Sequence, residues 1–204
     1  MKRIVLTAVF AISSLAFSPL RAHAEPAPLM APDFSLPASD NKTYHLADYR
    51  GKFVVLEWFN KDCPFVHKHY DSGNMQKLQT TYLHKGVVWF SVASSAPGKE
   101  GYMTPEKATK TRVAYKSAST ATLLDPEGKV GRLYGAKTTP HMFVINPKGE
   151  IIYSGAIDDH NSADPGDIPS SKNYVAAALD EALAGKPVTT SSTPSYGCSV
   201  KYKS

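Results

Sequence analysis

Cysteine is scarce in this chain: 204 residues hold two, Cys63 and Cys198. A disulfide-stapled scaffold is excluded, because such scaffolds carry cysteine at far higher density. The length is that of one domain with room for a core that needs no staples. Long apolar runs are missing beyond the N-terminus. None approaches the roughly 20 residues that a membrane-spanning helix requires. A strong excess of one charge is missing too. The chain has 23 Lys+Arg against 18 Asp+Glu, a net charge of +5. Lys2, Arg3 and Arg21 sit in the N-terminal segment, and without them 20 basic residues face 18 acidic ones, +2. That balance gives no reason to expect a nucleic-acid partner. No internal repeat is present.

What is there begins with a targeting segment. Lys2 and Arg3 precede the apolar stretch Ile4 to Phe17, and Ala22-His23-Ala24 forms a small-x-small cleavage site. Residues 1–24 read as a secretory signal peptide, too short and wrongly flanked for a spanning helix. Export is expected, with the periplasm as destination. The mature chain would begin at Glu25 and carry no integral membrane segment. Residues 25–32 form a Pro- and Ala-rich lead-in, 33–185 the domain, and 186–204 a polar tail that carries Cys198.

The element pattern alternates. Phe34–Pro37 and Thr43–Leu46 read as short strands around a turn, and Phe53–Phe59 as a buried strand. Pro64 to Lys85 reads as helical. Its two apolar sets, Val66/Tyr70 and Met75/Leu78/Tyr82, are out of phase, and Gly73 between them predicts a kink or break. Val87–Val92 and Ala121–Leu124 are further strands. Thr104 caps a helix that opens with Pro105, and a short helix surrounds Val130–Tyr134. Met142–Ile145 and Ile151–Ser154 flank Asn146-Pro147-Lys148-Gly149, a hairpin signal. Tyr174–Leu183 is the last helix, ended by Gly185 and Pro187. This order predicts an α/β domain with a mixed central sheet flanked by helices.

Cys63 stands where the chain leaves the strand Phe53–Phe59 and enters a helix at Pro64. Backbone N–H groups and the helix dipole stabilise an anion at such a junction. For cysteine that anion is the thiolate, the reactive form. The two cysteines form either one structural disulfide or a nucleophile with its resolving partner. Cys198 lies 15 residues beyond Leu183. A flexible tail of that length has an r.m.s. span of about 20 Å, against a radius of gyration of about 15 Å for a domain this size. Cys198 is therefore within reach of Cys63, as a tethered thiol at millimolar effective concentration.

The succession of strand, cysteine at a helix start, helix, strand, helix, strand, Thr139-Pro140, hairpin and helix resembles the thioredoxin fold. The lead-in and Leu46-Ala47-Asp48-Tyr49-Arg50-Gly51-Lys52 resemble its redoxin branch. That branch includes alkyl hydroperoxide reductase/thiol-specific antioxidant proteins and exported thioredoxin-like proteins. The resemblance spans residues 31–184. It implies that Cys63 is the attacking cysteine. Val66 stands where a thioredoxin has its second cysteine, so the Cys-x-x-Cys pair is absent. Leu56 and Asn60 occupy the proline and hydroxyl positions of the peroxiredoxin pattern, where Asn60 offers an amide instead of a hydroxyl. Thr139-Pro140 matches the cis-proline loop that faces the cysteine, and Thr139 would present its backbone to a substrate. Pro64 and Phe65 would flank the same groove. Glu57 matches a buried acid able to relay the thiol proton; the alternative is a strand-surface or lysine-paired Glu.

Other polar groups read as bland. His67, Lys68 and His69 form a solvated helix face, unless a cation among them favours the thiolate. Cys63, His67 and His141 are the remote candidates for a soft metal such as copper. The series Asp159, Asn161, Ala163, Asp164 fails the calcium-loop pattern, so Asp158–Asn161 reads as a solvated loop. Trp58, Phe59, Trp89 and Phe90 read as core. No cofactor and no metal is expected. Three functions remain open. The first is an exported thiol-disulfide oxidoreductase with Cys63 as nucleophile and Cys198 as resolving thiol. The second is a peroxiredoxin-like peroxidase. The third is a redox-inert or copper-carrying binding protein. The substrate would be a protein or small-molecule disulfide or a peroxide, and no residue names the electron donor.

Overall fold

The computed structural model describes residues 29–203. The expected signal peptide, residues 1–24, and residues 25–28 of the lead-in lie outside the described residues. The β-branched and aromatic run after Gly51-Lys52 becomes the central strand β3 (Val54–Trp58), which is buried on both faces. Its neighbours need the same apolar continuity. β4 (Val88–Ala93) and β5 (Ala121–Leu124) are likewise buried throughout. β3, β4 and β5 run parallel, whereas β7 (His141–Ile145) is antiparallel to β3 and β8 (Ile151–Gly155) antiparallel to β7. The five-stranded sheet has the order β5-β4-β3-β7-β8. A strand buried on both faces reads as a continuous apolar run, as these do.

Each face has its own core. Val55, Phe59, Trp89 and Val144 pack with Val66, Tyr70, Met75 and Leu179 from the helices. Val54, Leu56, Trp58 and Phe90 pack on the other side with Phe34, Leu36, Leu46 and Tyr134. A small hairpin, β1 (Ser35–Pro37) with β2 (Thr43–His45), helps cover that second face.

The expected kink at Gly73 is a full break between α1 (Pro64–Asp71) and α2 (Asn74–His84). Gly73 has φ 77°, and nothing lies within 4 Å of where its Cβ would be. The left-handed conformation lets the two out-of-phase apolar sets both turn inward. Gly73→Ala is expected to cost about 1–2 kcal/mol in urea unfolding, from backbone strain alone. α3 (Pro105–Ala114) opens as expected, with the Thr104 side chain accepting from Lys107 N–H. α4 (Lys129–Leu133) is short, and α5 (Tyr174–Leu183) is capped by Asn173.

The C-terminal segment departs from the free polar tail expected of it. Ser154 N–H donates to Ser191 O, and Thr193 N–H donates to Ser154 O, both at 3.1 Å. Further on, β9 (Cys198–Ser199) pairs antiparallel with β6 (Thr138–Thr139). Val200 N–H then reaches Lys137 O, Ala96 N–H reaches Lys201 O, and Tyr202 Oη donates to Ala136 O at 2.8 Å. A polar sequence can dock in this way because the bonds are made by backbone groups, which every residue except proline carries in full.

Candidate functional site

The end of β3 and the start of α1 place Cys63 at the N-cap of α1, with Pro64 at the first helical position. Val66 and His67 N–H groups donate to its carbonyl. Cys63 is fully buried. Its thiol donates to Thr139 O at 3.1 Å. The Thr139-Pro140 bond is cis. Strand β3 and the loop before β7 thus bring together residues 76 apart in sequence.

Cys198 arrives from the other side. In the β6–β9 ladder its Cα partner is Thr139, the residue whose carbonyl holds the Cys63 thiol. Burial and contact with the Cys63 thiol push Cys198 up to about 12. Both cysteines are free. The expected flexible tether is therefore a docked strand, already alongside its partner. The neighbouring Gly197 has φ 120°, and a Cβ there would sit 2.2 Å from Thr139 O. Only glycine lets the strand come this close.

Asn60 and Glu57 are both buried. Asn60 Nδ2 donates to Glu100 Oε1 at 3.0 Å, and its Oδ1 accepts from Asp62 N–H at 2.9 Å. Its amide is engaged by the loop between β4 and α3. Glu57 accepts from Tyr70 Oη at 3.0 Å, Trp89 Nε1 at 2.9 Å and, less closely, Gln79 Nε2 and Ser91 Oγ at 3.4 Å. Burial raises Glu57 to about 7 in spite of these four donors. Cys63 is not among its partners. The link to α1 passes through Tyr70, on the same buried stripe as Cys63 and Val66.

Pro64 is exposed, and Pro140 is buried beneath the loop. Phe65 lies against the ring of Tyr196, with centroids 5.8 Å apart. The groove side of α1 is thus covered by the chain's own C-terminus.

The solvated helix face is corrected at two of its three residues. His67 is partly exposed and sits 3.0 Å from Asp71, but Lys68 is 1 % and His69 0 % exposed. Lys68 Nζ stands 3.3 Å from Asp158 Oδ2 and donates to His160 O at 3.1 Å. Asp158 is 2 % exposed, so the solvated reading of its loop fails at this residue. Tyr196 Oη donates to Asp158 Oδ1. His69 Nδ1 accepts from Asn74 Nδ2 at 2.9 Å, which puts the ring proton on Nε2, and burial lowers this imidazole to about 4. His141 is lowered to about 4 by burial and Lys137, and its Nδ1 accepts from Lys137 N–H. Among the described residues no three His, Cys, Asp or Glu side chains converge as a metal-holding group.

The sequence places Lys68 and Asp158 in solvent and does not single out Tyr196. The available signals were weak. Tyr196-Gly197 is an aromatic and a glycine inside an otherwise polar tail, and Asp158 follows the apolar pair Ala156-Ile157.

Comparison with known proteins follows the same lines. An uncharacterized conserved protein from Geobacillus kaustophilus is 27 % identical at a TM-score of 0.75, over 93 % of this chain and 98 % of that one. A hypothetical protein from Sinorhizobium meliloti is 24 % identical at 0.73, over 89 % and 97 %, and shows the fold alone. A putative thiol:disulfide interchange protein DsbE from Chlorobium tepidum is 26 % identical at 0.50, over 62 % and 82 %. No curated protein matches the chain. The fold is thioredoxin-like, a mixed sheet with helices on it. Residues 29–154 match the AhpC/TSA family, a span that includes Cys63 and the cis-proline loop but ends before Cys198. The chain belongs to the AhpC/TSA family, within the thioredoxin-like redoxins.

Proposed function

We propose that this protein is an exported thiol-disulfide oxidoreductase in which Cys63 is the nucleophile and Cys198 the resolving thiol. The observation that carries this reading is the pairing of Cys198 with Thr139, the residue whose carbonyl holds the Cys63 thiol. The Cys63 thiolate attacks one sulfur of a disulfide RSSR. A Cys63–SR bond forms and RS⁻ leaves. The Cys198 thiolate then attacks the Cys63 sulfur, expelling the second RS⁻. The two cysteines lose two electrons, and their two protons go to the departing thiolates. Export rests on the N-terminal segment alone.

Disulfide exchange is favoured over peroxide reduction by the position of Asn60. Asn60 is 1 % exposed, and one of its two amide N–H bonds is donated to Glu100, which makes it a poor ligand for a peroxide oxygen.

Non-reducing peptide mass spectrometry of the full chain, before and after oxidised glutathione, tests the proposal. A Cys63–Cys198 disulfide is expected, with two glutathione thiols released per chain, in a mature protein starting at Glu25. Cys198→Ser is expected to stop at a Cys63–glutathione adduct. Cysteines that never pair within one chain would end the resolving role.

A further inference from the structure

The buried trio Lys68, Asp158 and Tyr196 takes no part in that exchange. It is nonetheless tied to the redox site through the chain. Tyr196 lies two residues before Cys198, its hydroxyl donates to Asp158, and its ring covers Phe65 beside Cys63. Asp158 is held in turn by Lys68, from the second turn of α1. Lys68, Asp158 and Tyr196 are all buried, and a hydrogen bond to a member of a charged pair is stronger than one between neutral groups. From this anchor the chain passes Gly197 and lays β9 on β6.

The backbone edge of Thr138–Thr139 is where an extended polypeptide would add as a strand, with main-chain hydrogen bonds supplying affinity. β9 already uses that edge. A small disulfide forms no main-chain ladder and so makes no demand on that edge. An extended polypeptide needs the ladder bonds and the Tyr196 anchor to be given up together.

We propose that Tyr196, anchored on Asp158 and Lys68, is a specificity-determining residue: it keeps the Cys198 strand on Thr138–Thr139, so that Cys63 accepts small disulfides and excludes extended polypeptides. The inference rests on the reading of Cys63 and Cys198 as the redox pair, and it names the substrate class of that pair. The exchange itself is the one written above, with a low-molecular-weight disulfide as oxidant and its two thiols as products.

The test compares two activated disulfides that release the same chromophore. One is 2,2′-dithiodipyridine. The other is an extended peptide of about a dozen residues whose single cysteine carries a thiopyridyl group. Both are given to the full-length reduced protein as wild type, Tyr196→Phe and Gly197→Ala. Tyr196→Phe keeps the ring on Phe65 and removes the hydroxyl. Gly197→Ala drives a Cβ into Thr139 O and leaves the buried trio whole, so it undocks the strand by a separate route.

Wild type is expected to react far faster with the small probe. Both variants are expected to raise the peptide-to-small-probe rate ratio by roughly tenfold or more, the scale of one lost charged hydrogen bond. A ratio unmoved in Tyr196→Phe, whether or not Gly197→Ala raises it, or a wild type that takes the peptide as readily as the small probe, overturns the role of Tyr196. Cys63–Cys198 disulfide formation by oxidised glutathione is followed in the same samples. If it forms while the ratio stays put, only the specificity role fails. If it never forms, the redox pair fails, and the specificity role with it.

Discussion

Asp158→Ala is expected to lower folding stability by about 3–5 kcal/mol, the cost of leaving one member of a buried ion pair without its partner. Lys68 is fully surrounded by protein and has two close oxygens, Asp158 Oδ2 at 3.3 Å and the His160 carbonyl at 3.1 Å. Without the carboxylate, a buried ammonium keeps one neutral acceptor. Lys68→Met is expected to be costly for the mirror reason, since Asp158 would keep only neutral partners: the Tyr196 hydroxyl, His160 N–H at 3.1 Å and a neutral His69 whose Nε2 is 3.8 Å away. The double variant Lys68→Met/Asp158→Ala is expected to cost far less than the two singles summed, because neither charge is then stranded. Urea unfolding of the four proteins closes the cycle. Additive losses would mean that the two charges do not stabilise each other.

The second large effect is in pH. Glu57 is fully buried and its folded value is about 7, against 4.5 for the ordinary side chain. Below pH 4.5 the carboxyl is protonated in both the folded and unfolded states. Between pH 4.5 and 7 the unfolded chain releases the proton and the native chain keeps it. Stability therefore falls as pH rises through this window, by about 3 kcal/mol for Glu57 alone, and then levels off. His69 and His141 act in the opposite sense. Each is lowered from 6.5 to about 4, so the unfolded chain binds the extra proton and stability rises with pH from 4 to 6.5. Wild type alone would show the sum. The difference between wild type and Glu57→Gln isolates the carboxyl, because the variant keeps both histidines. That difference is expected to move by about 3 kcal/mol between pH 4.5 and 8, in favour of wild type at the acid end. A flat difference would mean that Glu57 ionises inside the protein as readily as outside.

The same Glu57 value bears on proton movement. A carboxyl near 7 can exchange a proton at neutral pH. Its hydrogen bonds lead to Tyr70, Gln79, Trp89 and Ser91. A relay from Cys63 would therefore have to pass the Tyr70 side of α1, and the pH difference above reports whether the group titrates in the range such a relay requires.

The sequence by itself determined the sheet, the helices and the place of Cys63 at a strand-to-helix junction. Those features rest on local and periodic signals: apolar continuity in Val54–Trp58 and Ala121–Leu124, Thr104 before Pro105, Gly73 between two out-of-phase stripes, and Cys63 before Pro64. Each signal acts on its own neighbours in the chain, so it can be read without knowing what lies across the fold. Only the tertiary structure decided the state of the C-terminal segment and of the groups beneath it. Lys68 and Asp158 look solvated in sequence because charged residues are rarely buried unless paired, and their pairing joins residues 90 positions apart. The docking of Cys198 on Thr139 is made by backbone hydrogen bonds, which carry no side-chain signature. Polarity marked residues 186–204 as a free tail. The open edge of Thr138–Thr139 made Cys198–Ser199 a strand, and proximity in space, not spacing in sequence, set Cys198 beside Cys63.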